Sequence, residues 1–211
     1  MAVTVSNGWS NSIEEDETRA EELLFDALGR DPNSSLAHYA MGMLRRVQNR
    51  LAESKIELET AVGLDPNNAF AFLLLGEVQM ELGRPEAGIA HIEKATQLNP
   101  HDPNIGIFYG ALGLCHLLLG HVDEAIDLIG KARAANPRFW FIHLHLAGAF
   151  GLNGNVDEAK AELAESLKLK PETNSLARVR TQFPFMSNPA FWSLYEKTGA
   201  TGLRRAGFPD E

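Results

Sequence analysis

The chain has 211 residues, of which 45% are hydrophobic, and it carries a formal net charge of −9. It is therefore long enough to bury a continuous core, and its acidity argues against a nucleic-acid-binding surface. A single cysteine, Cys115, excludes an internal disulfide framework.

Residues 1–12 form a leader that we expect to be flexible. The leader has neither the basic region nor the apolar region of a signal peptide. Nowhere does an apolar run approach the roughly 18 residues of a membrane-spanning helix. The sequence therefore predicts a cytoplasmic protein that does not interact with a membrane.

Prolines recur at a nearly constant spacing through the rest of the chain. They are Pro32, Pro66, Pro100, Pro137 and Pro171, and each follows a helical run. A period of about 34 residues with two helices per period is typical of a helix-turn-helix solenoid, and these prolines keep to it with one slightly longer interval, between Pro100 and Pro137. No unit of such a solenoid buries its apolar face alone, so stacking of the units is obligatory.

The apolar pattern predicts helices throughout this region and, in the absence of period-2 alternation, no strand. In chain order the predicted helices span 13–29, 35–48, 51–64, 69–82, 85–98, 104–119, 122–135, 138–153 and 156–169. They form an array over 13–171, made of a half repeat at 13–32 and full repeats at 35–66, 69–100, 106–137 and 140–171. The half repeat contains only the second helix of its unit.

Small residues recur at fixed distances before the prolines. Three glycines share one repeat position and three alanines share another: Gly42, Gly76 and Gly113, then Ala61, Ala95 and Ala132. Helices pack closely only where one of them lacks bulk, so these positions should mark helix contacts. A third position, between the two helices of each unit, carries residues that tolerate the left-handed backbone that ends a helix: Asn49, Gly83, Gly120 and Gly154.

This register resembles the tetratricopeptide (TPR) pattern, which has a leucine-glycine pair on the first helix and Ala, a bulky residue, Ala and Pro on the second. The resemblance covers residues 20–171. It implies an all-α, right-handed superhelix of antiparallel helix pairs, in which the first helices line a concave groove. A helical cap would follow the array.

The chain shows no catalytic constellation. It has no glycine-rich phosphate loop, nucleophile elbow or zinc spacing. Cys115 is interpreted as a small core residue, and His38 and His143, which fall at equivalent repeat positions, as packing residues. We therefore expect no cofactor, no metal and no enzymatic activity from this chain.

The concave groove is the candidate binding site. Its predicted lining is mostly apolar and comprises Tyr39, Met43, Phe70, Leu73, Glu77, Met80, Leu114, Leu117, Leu118, Phe141 and Leu144. TPR domains that hold an acidic C-terminus do so with Lys and Asn in the groove, and this lining departs from that pattern. Because large apolar surfaces usually mark a contact, the predicted occupant is an apolar helix of a partner or the chain's own tail.

The tail, residues 172–211, leaves the repeat register. A short helix is predicted at 174–182, a break at 183–189 and a second helix at 190–197. Four residues of the second helix are candidates for docking in the groove: Phe191, Trp192, Leu194 and Tyr195. The tail is interpreted either as a cap on the last repeat or as a docking strap.

The tail also carries a narrower resemblance. Asn188-Pro189 before an aromatic-rich helix, and the ending 202–209, Gly-Leu-Arg-Arg-Ala-Gly-Phe-Pro, are similar to the C-terminal TPR region of bacterial, rhizobial-type class III adenylate/guanylate cyclases. That resemblance implies a non-catalytic region of a larger signalling protein, with either a regulatory or an oligomerising role. In the oligomerising role the chain would form a homo-oligomer. The alternative is a free-standing TPR adaptor that binds an apolar peptide or helix.

Overall fold

The computed structural model describes residues 13–211, with the side chains of Ile13, Glu14 and Pro184 excepted. The predicted leader at 1–12 lies outside the described residues. Within 13–211 the chain is all helical and has no strand, as the periodicity predicts. None of the helices in this part of the chain has the length and hydropathy to cross a bilayer.

The described part of the chain contains twelve α-helices and one 3₁₀ turn. In chain order they are α1 (Ile13–Arg30), α2 (Ser35–Val47), α3 (Leu51–Leu64), α4 (Ala69–Glu81), α5 (Pro85–Leu98), α6 (Ile105–Leu119), α7 (Val122–Ala135), α8 (Trp140–Asn153), α9 (Val156–Leu169), α10 (Leu176–Arg180), the 3₁₀ turn (Pro184–Ser187), α11 (Pro189–Lys197) and α12 (Gly199–Arg205). Helices α2 to α9 form four antiparallel pairs that stack into a superhelix, and α1 packs on α2.

Residues with a left-handed backbone separate the two helices of each pair. The backbone angle φ is 57° at Asn49, 76° at Gly83, 75° at Gly120 and 90° at Gly154. Glycine and asparagine reach this region at the lowest cost, and the predicted left-handed conformation at these four positions is confirmed.

Four predicted helices extend slightly too far. Residues 48 and 82 cap their helices and are not part of them, and α6 begins at 105 rather than 104. The start predicted at 138 is also too early, because Phe139 is extended, with φ −88° and ψ 103°, and caps α8. Apolar periodicity does not distinguish a capping residue from the first helical one.

The glycines of the first helices bear directly on the second helices. A Cβ atom at Gly42 would lie 2.6 Å from Leu58 Cγ, one at Gly76 would lie 2.5 Å from Ile92 Cγ1, and one at Gly113 would lie 2.6 Å from Ile129 Cγ1. Contacts this short leave no room for any side chain. The repeat glycines are therefore where the two helices of a pair approach most closely, as predicted.

Overpacking at the matching alanines tests this geometry. Ala95 is fully buried, so Ala95→Leu should push α5 away from its neighbours and lower the free energy of unfolding by roughly 1 to 3 kcal/mol. Glu86→Gln, at an exposed position in the first turn of the same helix, should cost well under about 1 kcal/mol. Urea titrations of the two variants measure both effects, and equal losses would show that the faces of α5 are wrongly assigned.

Two histidines connect the two helices of their repeat to the preceding turn through hydrogen bonds. His38 Nδ1 lies 2.7 Å from a Glu57 carboxylate oxygen and its Nε2 lies 3.0 Å from the Pro32 carbonyl oxygen. His143 repeats the arrangement with Glu162 at 2.7 Å and the Pro137 carbonyl at 2.9 Å. In both cases the two ring nitrogens face one carboxylate oxygen and one backbone carbonyl oxygen. These rings hold the fold together rather than forming a reactive site.

Candidate functional site

The first helices of the repeats present one face to the concave side of the superhelix. Residues 36, 70, 107 and 141 share one repeat position on this face, and all four are apolar: Leu36, Phe70, Ile107 and Phe141. The next position inward carries residues 39, 73, 110 and 144. An apolar surface thus runs across all four repeats.

The structure divides the predicted groove residues into two groups. Five are partly or fully accessible: Tyr39, Met43, Phe70, Glu77 and Phe141. Six are buried, each at most 6% exposed: Leu73, Met80, Leu114, Leu117, Leu118 and Leu144. All six buried residues belong to the core cluster that also contains Phe191 and Tyr195 of the tail, which lies over part of the concave face.

The segment 183–197, here called the strap, is the part of the tail that crosses this face. Its helix α11 packs against α6 and α4. Phe191 and Tyr195 are fully buried, and they lie in the same core cluster as Met80 and Leu114. Trp192 and Leu194, also predicted to dock, are only partly buried at the edge of this cluster.

Aromatic rings line the path of the strap. Phe183 stacks on Trp140 of α8 with 6.0 Å between ring centroids, and Phe185 follows at 5.4 Å from Phe183. Phe185 then meets Phe191 edge-on at 5.3 Å, and its face lies 5.7 Å from the Arg46 guanidinium of α2. The strap therefore reaches from the fourth repeat back to the first.

His145 and Tyr195 lie together where α11 meets α8. The Tyr195 hydroxyl is 3.4 Å from His145 Nδ1, and the two ring centroids are 5.8 Å apart. Burial lowers the pKa of His145 to about 4 and raises the pKa of Tyr195. At neutral pH both side chains are uncharged, and the contact is structural.

Helix α12 follows the strap and packs on α8 through glycines on both helices. A Cβ atom at Gly202 would collide with the Gly148 carbonyl oxygen, and one at Gly151 would collide with the Gly202 carbonyl oxygen. This docking was not predicted from the sequence. A shared glycine spacing in the sequence could have revealed it. The two glycines of α8, Gly148 and Gly151, are three residues apart and lie on one helix face, and the same holds for Gly199 and Gly202 on α12.

The end of the chain closes the tail on itself. The backbone amides of Leu176 and Ala177, at the start of α10, each donate to a carbonyl of the last residues, Pro209 and Asp210, at 2.9 Å. Phe208 is 3% exposed. Both ends of the strap are thus held by packed helices.

A charged cluster lies under the strap near the first two repeats. Arg46 Nε donates to both carboxylate oxygens of Glu81, at 2.9 and 3.0 Å, and Arg46 Nη1 lies 3.2 Å from Glu77. Glu81 is fully buried. Burial raises the pKa of Glu81, although Arg46 opposes the rise. Burial also acts to lower the pKa of Arg46, but the two carboxylates raise it above its ordinary value.

Tyr39 completes this cluster. Its ring is partly accessible, and burial together with the Glu77 charge raises the pKa of its hydroxyl. The cluster therefore holds one guanidinium against two carboxylates, with a neutral phenol beside them.

Cys115 is fully buried on α6, and burial raises the pKa of its thiol. A thiol with a raised pKa is a poor nucleophile, which agrees with its interpretation as a small core residue. Within residues 13–211 no group of three His, Cys, Asp or Glu side chains is placed to hold a metal ion.

The accessible part of the concave face in the first two repeats is here called the open strip. It comprises Leu36, Tyr39, Met43, Phe70 and Glu77. Leu36 is 70% exposed and Phe70 is 40% exposed, and the two occupy equivalent positions in adjacent repeats. The strip adjoins the strap through Arg46, which contacts both Glu77 and Phe185.

The family model described as tetratricopeptide repeat matches residues 39–103, 73–138 and 111–173. No curated protein matches the chain.

Solved structures give further similarities. PilW, a widely conserved type IV pilus biogenesis factor, has a TM-score of 0.72 and 19% identity, covering 98% of this chain and 86% of its own. PilF of Pseudomonas aeruginosa has a TM-score of 0.65 and 19% identity, and the match covers 92% of this chain and 88% of PilF. YrrB, a TPR protein with an unusual peptide-binding site, has a TM-score of 0.61 and 21% identity, covering 81% and 86%. At these identities the likeness concerns the fold alone.

Proposed function

Because the chain belongs to the tetratricopeptide repeat family, we propose that it is a protein-interaction scaffold that binds an apolar segment of a partner along the open strip. TPR proteins mediate protein–protein interactions, and YrrB is a TPR protein with a peptide-binding site. The observation that carries the proposal is the exposure of Leu36 and Phe70 on the concave face beside Tyr39 and Met43. Exposed apolar surface on a soluble domain usually marks a contact.

The open strip is a better candidate than the strap-covered part of the groove. Releasing the strap would expose Met186, Phe191 and Tyr195, each at most 2% exposed. Uncovering side chains of this size costs roughly 1.5 to 3 kcal/mol each. A partner that displaced the strap would have to offset this free energy with its own contacts, so its affinity would be lower. A partner that binds the open strip would not face this cost. Of the predicted groove residues, Tyr39, Met43, Phe70 and Glu77 therefore carry the proposal.

A charged substitution in the open strip tests the function. Phe70→Lys should abolish capture of the partner, because an ammonium would be buried against the apolar segment without a counter-charge. The matched control is Lys94→Glu, at an exposed position on α5. Pull-downs from the source cell with the unmodified chain and both variants, quantified by mass spectrometry, check this. Proteins lost with Phe70→Lys and kept with Lys94→Glu are the expected result, and an unchanged set would refute the site.

Two narrower forms of the proposal remain predictions. In one, the chain is the regulatory or oligomerising region of a class III adenylate/guanylate cyclase, which rests on the tail motifs and receives no support from the comparisons. In the other, it is a free-standing adaptor in the cytoplasm. The genomic reading frame upstream of Met1 distinguishes them, and the mass of the chain in solution tests the predicted homo-oligomer.

A further inference from the structure

The open strip is not uniformly apolar. Glu77 occupies the repeat position that Met43 and Leu114 occupy on the neighbouring first helices, so a carboxylate stands in an otherwise apolar row. Its side chain is 18% exposed, which leaves it within reach of a ligand on the concave side. This placement needs an explanation, because a partly buried carboxylate is costly unless it is paired.

The pairing of Glu77 within the chain is incomplete. Arg46 is its ion-pair partner, at 3.2 Å, but the same guanidinium binds both oxygens of Glu81. One cation thus serves two carboxylates. The neighbouring Tyr39 hydroxyl adds no positive charge, and burial and Glu77 itself raise its pKa. Arg46 is therefore shared between two carboxyl groups, and Glu77 is the accessible one of the two.

Building on the proposed function, we propose that the open strip recognises an apolar segment that carries a lysine or arginine, with Glu77 as the residue that pairs with this cation. Leu36, Met43 and Phe70 would contact the apolar side chains, and the Glu77 carboxylate would accept from the ammonium or guanidinium. The charge complementarity is opposite to that of TPR grooves that hold an acidic terminus. The net charge of −9 also favours cationic segments during encounter.

A pair of synthetic peptides tests the proposal on the full chain. Both are fluorescein-labelled amphipathic helices of leucine, alanine and glutamine; one has a central lysine and the other has norleucine at that position. Fluorescence anisotropy gives the Kd of each. The lysine peptide should bind the unmodified chain about three- to tenfold more tightly, as expected for a partly shielded ion pair. The preference should shrink at high salt because screening weakens an accessible pair.

Two glutamate variants show which carboxylate is responsible. Glu77→Gln should bind both peptides with nearly equal affinity, since the amide keeps the shape and removes the charge. Glu93→Gln, at an exposed position on α5, removes the same charge elsewhere and should keep the preference. Circular dichroism confirms that both variants are folded. Equal Kd values for the unmodified chain, or a preference that survives in Glu77→Gln, would overturn the role of Glu77.

The variant Phe70→Lys separates this inference from the function on which it rests. One outcome is that both peptides bind with equal affinity and that Phe70→Lys weakens the binding of both. The open strip would then be a binding site, but Glu77 would not select a cation. If neither peptide binds, both proposals fail. Another outcome is that sedimentation shows a dimer, that Phe70→Lys dissociates it and that both peptides compete with its formation. The occupant of the open strip would then be a second copy of the chain, and the cationic partner would be refuted.

Discussion

Replacing Gly202 with alanine is expected to lower the free energy of unfolding by about 3 kcal/mol or more, because the new methyl group would overlap backbone atoms of α8. It would collide with the Gly148 carbonyl oxygen and also approach Leu152 N at 2.8 Å. Both are backbone atoms of α8, so no side chain can rotate to relieve the contact. Helix α12 must then move away from α8 and uncover Ala200 and Leu203, which are fully buried. Urea titration measures the loss.

The matched control is Gly130→Ala on α7. A Cβ atom at Gly130 would meet no other atom within 4 Å, and alanine is the better helix former, so this change should stabilise the protein by roughly 0.5 to 1 kcal/mol. Hydrogen exchange should show faster exchange in α11 and α12 of Gly202→Ala, with α2 to α5 unchanged. If Gly202→Ala is as stable as the unmodified chain, the close approach of α8 and α12 is wrong.

The repeat fold could be predicted from the sequence because its determinants are local and periodic. A glycine at a fixed distance before three of the prolines predicts the close contact of Gly76 with Ile92. A second glycine, nearer to the proline in three of the repeats, predicts the left-handed turn at Gly83. Each signal recurs in several units, so a single exception such as Asn49 does not obscure it. Helix boundaries could be predicted less well, because capping residues such as Phe139 share the apolar character of the helix that they precede.

The candidate site could be predicted only in part, because it depends on contacts between distant segments. Gly148 and Gly151 occupy the repeat positions of the predicted groove residues Leu114 and Leu117. In the structure they pack against α12. A glycine on a helix face fits both an open surface and a close backbone approach. Likewise Arg46 and Glu81 occupy the repeat positions of the predicted groove residues Met80 and Leu118. Their pairing across 35 residues of chain follows from the superhelix and from no local pattern.

Arg46→Met is expected to cost about 3 to 5 kcal/mol of unfolding free energy at neutral pH. It removes the cation that donates three hydrogen bonds to Glu81 and leaves a fully buried carboxylate unpaired. The double variant Arg46→Met/Glu81→Leu removes both charges and should recover most of the loss. Lys94→Met, on the exposed side of α5, is the control for loss of a positive charge and should change stability by less than about 0.5 kcal/mol.

The cost of Arg46→Met should also depend on pH, with a sign fixed by Glu81. Burial raises the pKa of this carboxyl in the folded state above its ordinary value of 4.5, and loss of Arg46 raises it further. A raised folded-state pKa means that the folded protein holds the proton more tightly, so stability falls as the pH rises from 4.5 through the folded-state pKa. Arg46→Met should therefore be nearly as stable as the unmodified chain near pH 4 and fall behind it progressively towards pH 7. Urea titrations across this range measure the difference, and a loss that is the same at every pH would show that the cost does not come from ionised Glu81.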